Sequence, residues 1–156
     1  MRVFDSSALF KSFDLRDSAT IPDVFSEVKN RPTLLRLENA VAAGSLQVLE
    51  PGEDAIAKVN SAVSKTNDRL SPIDVKLIAL ALELNATLLT DDFGMQNVCL
   101  FLNIPFQGID RTISRLFKRS FFCPSCKKYF SKEGACSSCG AALVSKVSSA
   151  RKKQIQ

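Results

Sequence analysis

The sequence predicts an α/β fold, a mainly parallel sheet flanked by helices, with a small cysteine-rich metal module appended at its C-terminal end. Three observations predict it. Short apolar runs ending in acidic or turn residues alternate with longer segments of helical periodicity, which is the rhythm of strands joined by crossover helices. One of those helices carries a complete start signal in Ser71-Pro72-Ile73-Asp74. Finally, Cys123-Pro124-Ser125-Cys126 is followed, nine residues later, by Cys136-Ser137-Ser138-Cys139, a spacing suited to a tetrahedral four-thiolate site.

Taken in order, Met1–Phe4 reads as a short strand ending at Asp5. The polar stretch Asp14–Thr20 has no periodicity and reads as a mobile loop. Ile21-Pro22-Asp23 opens a helix through about Lys29, with proline in the first turn. Pro32 starts a Leu- and Ala-rich helix that stops at Gly44; Leu46–Leu49 is a short strand, broken by Pro51-Gly52. Asp54–Ser64 spaces its apolar residues as a helix does. Ser71 is the N-cap of the next helix, Val75–Leu84, with Pro72 at its first position and Asp74 completing a capping box. Ala86–Leu89 is a strand running into Thr90-Asp91-Asp92. A helix from about Gly94 to Asn103 and a strand near Phe106 follow. The segment Arg111–Arg119 reads as a basic helical connector, and Arg151-Lys152-Lys153 as a charged, disordered tail. The expected units are therefore a domain over 1–110, a basic linker or helix over 111–120, a metal ribbon over 121–147 and a basic tail over 148–156.

Charge is divided between these parts. Up to Asp110 there are 10 Lys/Arg against 15 Asp/Glu; from Arg111 onward there are 11 against 1. An acidic body suits cations and a basic end suits a polyanion. The chain has no histidine, which removes Ser-His-Asp and Cys-His nucleophiles and histidine-based acid–base ribonuclease chemistry. Any hydrolytic chemistry then falls to carboxylates and metal ions. No apolar run approaches the roughly 18 residues that would cross a bilayer, and Asp5, Asp14 and Asp17 interrupt the N-terminal stretch where a secretory signal would lie. A soluble, cytoplasmic protein with no membrane partner is expected.

Cys123, Cys126, Cys136 and Cys139 lie in a segment of about 30 residues, too small to build its own hydrophobic core. Structural Zn²⁺, worth on the order of 10 kcal/mol of folding energy, supplies what is missing. Two redox dithiols, a pair of disulfides and a rubredoxin-type iron site are the competing readings. All four positions of such a site are taken, so its metal is structural. Gly140 fits a knuckle turn needing positive φ. Cys99, among Val98, Leu100 and Phe101, reads as a small buried apolar residue.

Four acids stand out elsewhere: Asp5, Glu27, Asp74 and Asp92, with Asp91 beside the last. Asp5 and Asp91-Asp92 follow apolar strands, and in an open parallel sheet ligands bind at the carboxyl ends of the strands. Glu27 and Asp74 are expected in the first turns of helices facing the same edge. Taken singly, each has a plainer role as a cap or solvated residue, and spacing alone leaves the choice open.

Val3-Phe4-Asp5-Ser6-Ser7-Ala8-Leu9 resembles the opening motif of PIN domains, and Leu70-Ser71 through Leu84 resembles their central helix. Thr90-Asp91-Asp92-Phe93-Gly94-Met95-Gln96-Asn97-Val98 resembles their third motif in the form found in ribosome-assembly nucleases of the Nob type, and Ile21 to Val28 is similar to the second motif of that group. The order of PIN domain then zinc ribbon covers nearly the whole chain, without the insertion and extensions of eukaryotic members, which implies an archaeal-style form. The resemblance implies an endoribonuclease that cleaves precursor small-subunit ribosomal RNA at its 3′ end, with an acidic site on Asp5, Glu27, Asp74 and Asp92. The motif places the acid two residues after the threonine, which selects Asp92 over Asp91. It further implies Mg²⁺ or Mn²⁺ held mainly by Asp5, Asp74 and Asp92. The implied partners are the small ribosomal subunit precursor and a KH-domain assembly protein.

Arg111, Arg115, Lys118, Arg119, Lys127, Lys128 and Lys132 form the expected phosphate-contacting set, with Phe121, Phe122, Tyr129 and Phe130 available to stack on bases or to fill the ribbon's core. Ser7 and Thr90 are candidates to orient ligands. The alternatives are a PIN-type toxin ribonuclease, a non-catalytic RNA-binding assembly factor and a zinc-ribbon adaptor that binds protein.

Overall fold

A computed structural model describes residues 1–9, 11 and 13–149; the charged tail expected at Arg151–Lys153 lies outside them. Its elements run β1 (Arg2–Phe4), α1 (Ser6–Leu9), β2 (Ser18–Thr20), α2 (Pro22–Glu27), α3 (Arg31–Ala42), β3 (Leu46–Val48), α4 (Glu53–Thr66), α5 (Pro72–Glu83), β4 (Thr87–Leu89), α6 (Phe93–Leu102), β5 (Phe106–Gln107), β6 (Phe117–Phe122), β7 (Tyr129–Phe130) and β8 (Val144–Ser149). Among the described residues β1–β5 form a parallel sheet in the order β3-β2-β1-β4-β5, and the last three strands form a second sheet in the order β7-β6-β8.

Strand order reverses direction at β1, whose neighbours are β2 and β4. Register there pairs Val3 with Leu88 and Phe4 with Leu89, so Asp5 and Thr90 emerge side by side at the carboxyl edge. A reversal of this kind opens the crevice in which doubly wound sheets bind ligands. The strands are short and buried, with Val3, Phe4, Ala19, Leu88 and Leu89 at 0–2% exposure, and α5 turns Leu77, Ile78, Leu80 and Ala81 into the same core. Helix α5 ends at Glu83, just before β4 begins at Thr87. It therefore runs back antiparallel to the strands, and its first turn, with Asp74, reaches the edge where β1 and β4 end.

The local signals act as the residues dictate. Ser71 accepts from the Asp74 backbone N–H at 3.2 Å while the Asp74 carboxylate accepts from the Ser71 N–H at 2.7 Å, the reciprocal pairing of a capping box. Asn30 caps α3 through Thr33, and Asp92 caps α6 through the Met95 N–H.

Two expectations fail. The loop predicted over Asp14–Thr20 contains strand β2, whose Ser18, Ala19 and Thr20 are all fully buried. Its two hydroxyls hide from a hydropathy reading because backbone carbonyls satisfy them: Ser18 donates to Leu15 O and Thr20 to Phe4 O. The helix predicted over Arg111–Arg119 does not form; an extended strap leads into β6 at Phe117. Side chains of the preceding acidic turn and of α6 take the backbone groups a helix would have used. Asp91 Oδ1 accepts from the N–H of Ile109, Asp110 and Arg111. Gln96 accepts from Ile113 N and donates to Arg111 O, while Asn97 bonds both the N–H and the C=O of Phe117. Gln96 and Asn97 are at most 1% exposed, so this polar pair inside an apolar helix has its partners in the strap. The second sheet consequently begins at Phe117 and includes Ser148 and Ser149.

Candidate active site and metal centre

Asp5 sits at the end of β1 with 9% exposure. Its Oδ1 accepts from Ser6 at 3.2 Å, and its Oδ2 from Ser7 and from Thr90, each at 2.9 Å. Thr90 Oγ1 in turn accepts the backbone N–H of Asp92 at 3.0 Å. One buried hydroxyl thus joins the first acid to the peptide that carries the second. Asp92 is exposed and spends one oxygen on the Met95 N–H at 2.9 Å. Asp91 points the other way. Desolvation works against its charge, yet the N–H groups of Asp110, Arg111 and Ile109 hold its carboxyl below the ordinary range. Asp91 is thus committed to the backbone of residues 109–111, whereas Asp92 keeps one oxygen free.

Asp74 occupies the same edge, half-exposed, with one oxygen engaged in its cap. Beside it on α5, Lys76 binds Asp23 of α2 at 2.8 Å and Glu50 at 3.4 Å; the hydrogen bond from Lys76 lowers the Asp23 carboxyl. This ion pair ties the start of α2 to the start of α5. Glu27 was expected in the first turn of its helix but is the last residue of α2, exposed, with no side-chain contact to the other three acids. The structure thus links Asp5 with Asp92, brings Asp74 to their edge, and leaves Glu27 beyond.

Among the described residues no three carboxylates converge as tightly as the four cysteines do. A wider oxygen cage suits Mg²⁺ or Mn²⁺, hard cations that keep several water ligands. The donor set fits such an ion: Asp74 and Asp92 each engage only one carboxylate oxygen with protein.

The four cysteines are placed to hold a metal ion. Their four Sγ atoms lie within 4.8 Å of one another, with Cys123 to Cys139 at 3.5 Å and Cys126 to Cys136 at 4.0 Å. A tetrahedron with 2.3 Å metal–sulfur bonds has edges of ~3.8 Å, whereas a disulfide needs about 2.05 Å. Both knuckles repeat one design: Lys127 N–H bonds Cys123 O at 2.9 Å, and Gly140 N–H bonds Cys136 O at 2.8 Å. Lys127 and Gly140 both adopt positive φ, 61° and 73°. The N–H of Ser138, with that of Cys139, holds the Cys136 thiol down at about 6, while its hydrogen bond with Cys139 pushes Cys126 up to about 12. Four crowded sulfurs keep a proton that a bound cation would displace.

Of the expected phosphate-contacting residues, Arg111, Arg115, Lys127, Lys128 and Lys132 are exposed. Lys118 and Arg119 are half-buried in β6. Lys128 donates to Ser138 at 2.9 Å. Phe121 fills the ribbon's core at 6% exposure, whereas Tyr129 is 58% exposed. The sequence reading missed two cations. Lys146 stacks over Phe122 and Tyr129 at 5.4 Å from each ring and bonds the Tyr129 hydroxyl at 2.9 Å. Arg69, between α4 and α5, pairs with Glu133 of the ribbon. No sequence signal marks either, because both arise from strand pairing and module docking.

The chain matches a family described as the PIN domain of ribonuclease over residues 3–84. It is 34% identical over 144 residues to the endoribonuclease Nob1 of Pyrococcus abyssi, covering 89% of each chain. Against the endoribonuclease Nob1 of Methanocaldococcus jannaschii it is 35% identical, covering 99% of this chain and 81% of the relative. A shorter match, 34% identical over 49% of this chain and 17% of the relative, is to the 20S-pre-rRNA D-site endonuclease NOB1 of Saccharomyces cerevisiae.

Proposed function

Since the chain belongs to the Nob1 family of PIN-domain endoribonucleases, we propose that it cleaves precursor small-subunit rRNA at its 3′ end by metal-dependent phosphodiester hydrolysis. The observation that carries this is the hydroxyl bridge at the sheet's switch point, which fixes Asp5 and Asp92 beside each other at the carboxyl ends of β1 and β4. Asp5, Asp74 and Asp92 would hold Mg²⁺ or Mn²⁺, and Glu27, at the exposed end of α2, would join them only through a water or a movement of its side chain. A divalent cation there supplies a lower pKa for the attacking water and charge compensation at the leaving oxygen.

The protein's own groups do the remainder. Ser6, Ser7 and Thr90 donate to Asp5 and fix its carboxylate in one orientation. The cap of α6 restricts Asp92. Hydroxide adds to phosphorus as the P–O3′ bond breaks, and the departing oxygen takes a proton, leaving 5′-phosphate and 3′-hydroxyl ends. Cys123, Cys126, Cys136 and Cys139 would hold Zn²⁺ as a structural ion, because four thiolates leave no coordination position open. The basic ribbon and strap hold the RNA by its phosphates. The reading places the protein in the cytoplasm, on the small ribosomal subunit precursor with a KH-domain assembly protein beside it; no described helix is long and apolar enough to cross a membrane.

The test is cleavage of RNA spanning the 3′ end of small-subunit rRNA with Mn²⁺, with chelator and with Asp92→Asn. A single cut, lost with chelator and in the variant, is expected. RNA binding without cleavage at any metal concentration would refute the nuclease in favour of a binding factor.

A further inference from the structure

A cavity of about 600 Å³ opens where the nuclease sheet meets the ribbon, and its walls include Asp92, Phe93, Arg69, Arg111 and Arg119. These residues come from different segments: the α4–α5 turn, the start of α6, the strap and ribbon strand β6. The other acids lining it, Asp91 and Asp110, are already committed. Asp91 takes three backbone N–H groups, and Asp110 is bound by Lys11 at 2.6 Å. Arg69 is paired with Glu133 of the ribbon, so what is left for a ligand is the free oxygen of Asp92 at one side and Arg111 and Arg119 at the other.

Arginine at this cavity is under-used. Arg119 places one Nη on Ser145 at 3.2 Å, while its Nε is buried and lacks an acceptor among the described residues. Such an orphan donor is destabilising unless a ligand satisfies it. The Arg111 backbone is pinned by Asp91, and among the described residues its guanidinium meets no partner. Phe93 is 46% exposed at the same rim, next to Asp92. Neither guanidinium, of Arg111 or of Arg119, has a close ion pair among the described residues, although Arg119 lies near enough to Asp68 to favour that carboxylate's charge. Beside an exposed aromatic face they match the two halves of a nucleotide: a planar fork for phosphate and a ring for the base.

We propose that this cavity is a nucleotide subsite flanking the scissile bond, built jointly by nuclease domain and ribbon. Arg111 and Arg119 grip one backbone phosphate and Phe93 stacks on the adjoining base, which presents the next phosphodiester to Asp92. This rests on the nuclease reading for what Asp92 does, but not for whether RNA binds here. The ribbon is then one wall of the active-site cleft. Docking fixes that wall: Asn67 donates to Arg119 O at 3.1 Å and Ser131 O at 2.9 Å, Asn97 bonds Phe117, and Arg69 pairs with Glu133.

The test uses the full chain with Asp5→Asn, which blocks cleavage and leaves the cavity intact. Its probe is a fluorescein-labelled single-stranded RNA across the 3′ end of small-subunit rRNA, with each phosphate in turn replaced by a neutral methylphosphonate and each base in turn removed. One phosphate is expected to cost about tenfold in affinity when neutralised, and less than twofold once Arg111→Gln or Arg119→Gln is present. Removal of a base on that nucleotide or its neighbour should cost about tenfold and become nearly silent in Phe93→Leu. Losses spread evenly along the phosphates, or charge and base effects mapping more than one nucleotide apart, would overturn the proposal. If Arg119→Gln loses the ribbon's metal, the Arg111 and Phe93 arms, on exposed segments, decide. Parallel reactions with native Asp5 separate the two ideas: localised coupling without any cut refutes the nuclease and keeps the subsite, and a cut without coupling does the reverse.

Discussion

Replacing Thr90 by valine keeps the shape of the side chain and exchanges only its hydroxyl for a methyl group, yet that hydroxyl makes two bonds to the acids at the centre of the site, beside a weaker contact with Met95 Sδ at 3.5 Å. It donates to Asp5 Oδ2 at 2.9 Å and accepts from Asp92 N at 3.0 Å, in a residue that is fully buried. A hydrogen bond to a charged acceptor contributes about 1.5–3 kcal/mol, and an orphaned buried N–H costs about 1–3 kcal/mol. Asp5 Oδ2 keeps its bond from Ser7, and Asp92 N is only part-buried, so the lower halves of both ranges apply. The expected loss is about 2–4 kcal/mol, or roughly 6–12 °C of melting temperature in a chain of this size. Cleavage should fall further than stability implies. With the bridge gone, Asp5 and Asp92 are no longer held to one another, and a displacement of about 1 Å at reacting groups costs on the order of 100-fold.

The assay pairs urea or thermal unfolding with single-turnover cleavage, below the melting temperature, for wild type, Thr90→Val and Thr90→Ser. Serine restores the hydroxyl without the methyl group and should recover most of the activity. Equal losses in the valine and serine variants would assign the effect to packing. A valine variant cutting RNA at the native rate would refute the bridge as a positioning device.

Further outcomes follow from the same geometry. Asp91→Ala should lose about 2 kcal/mol of stability by freeing three strap N–H groups. Because folding holds the Asp91 carboxyl below its ordinary value, its contribution is complete above the unfolded pKa, about 4, and fades as pH falls through the lowered folded value; unfolding of wild type and variant from pH 7 down to pH 2 should converge at the acid end. Cys139→Ser should lower bound metal below one ion per chain and unfold β6–β8 while the melting of β1–β5 survives, read by metal analysis and backbone amide NMR spectra. Asn97→Leu removes both bonds to Phe117 and the contact with Asp68 at 2.6 Å. It should release the ribbon to limited proteolysis near residue 116 and weaken RNA cleavage more than RNA binding.

The sheet, the order of its helices and the knuckles were legible because each rests on local chemistry. Ser71-Pro72-Ile73-Asp74 specifies a helix start whatever surrounds it, and two CxxC pairs at this spacing point to a metal site ahead of the dithiol and disulfide readings. Strand β2 was hidden because its recognition depends on where Ser18 and Thr20 find acceptors, on Leu15 and Phe4, which only the folded chain supplies. The strap was misread for the same reason. Basic residues at helical spacing favour a helix in isolation, but Asp91, Gln96 and Asn97 offer its backbone stronger partners. Of the acids, Asp5, Asp74 and Asp92 lie where strand ends and a cap put them, whereas Glu27, expected in a first turn, is the sixth residue from Pro22 and falls beyond the roughly 3.6 residues of that turn.

Gln96 and Asn97 also explain why charge can be divided so unevenly along the chain. A basic ribbon on a flexible tether would hold RNA at a variable distance from the acids and gain only effective concentration. Bonds from α6 to both ends of the strap remove that freedom, and the helix that makes them is capped by Asp92 itself. The element that orients Asp92, the carboxylate proposed to bind metal, is thus the element that anchors the basic ribbon proposed to bind phosphate. A phosphate held by Arg111 or Arg119 is registered against Asp92 through a single rigid helix, so loosening either end of α6 should shift where the RNA is cut before it abolishes cutting.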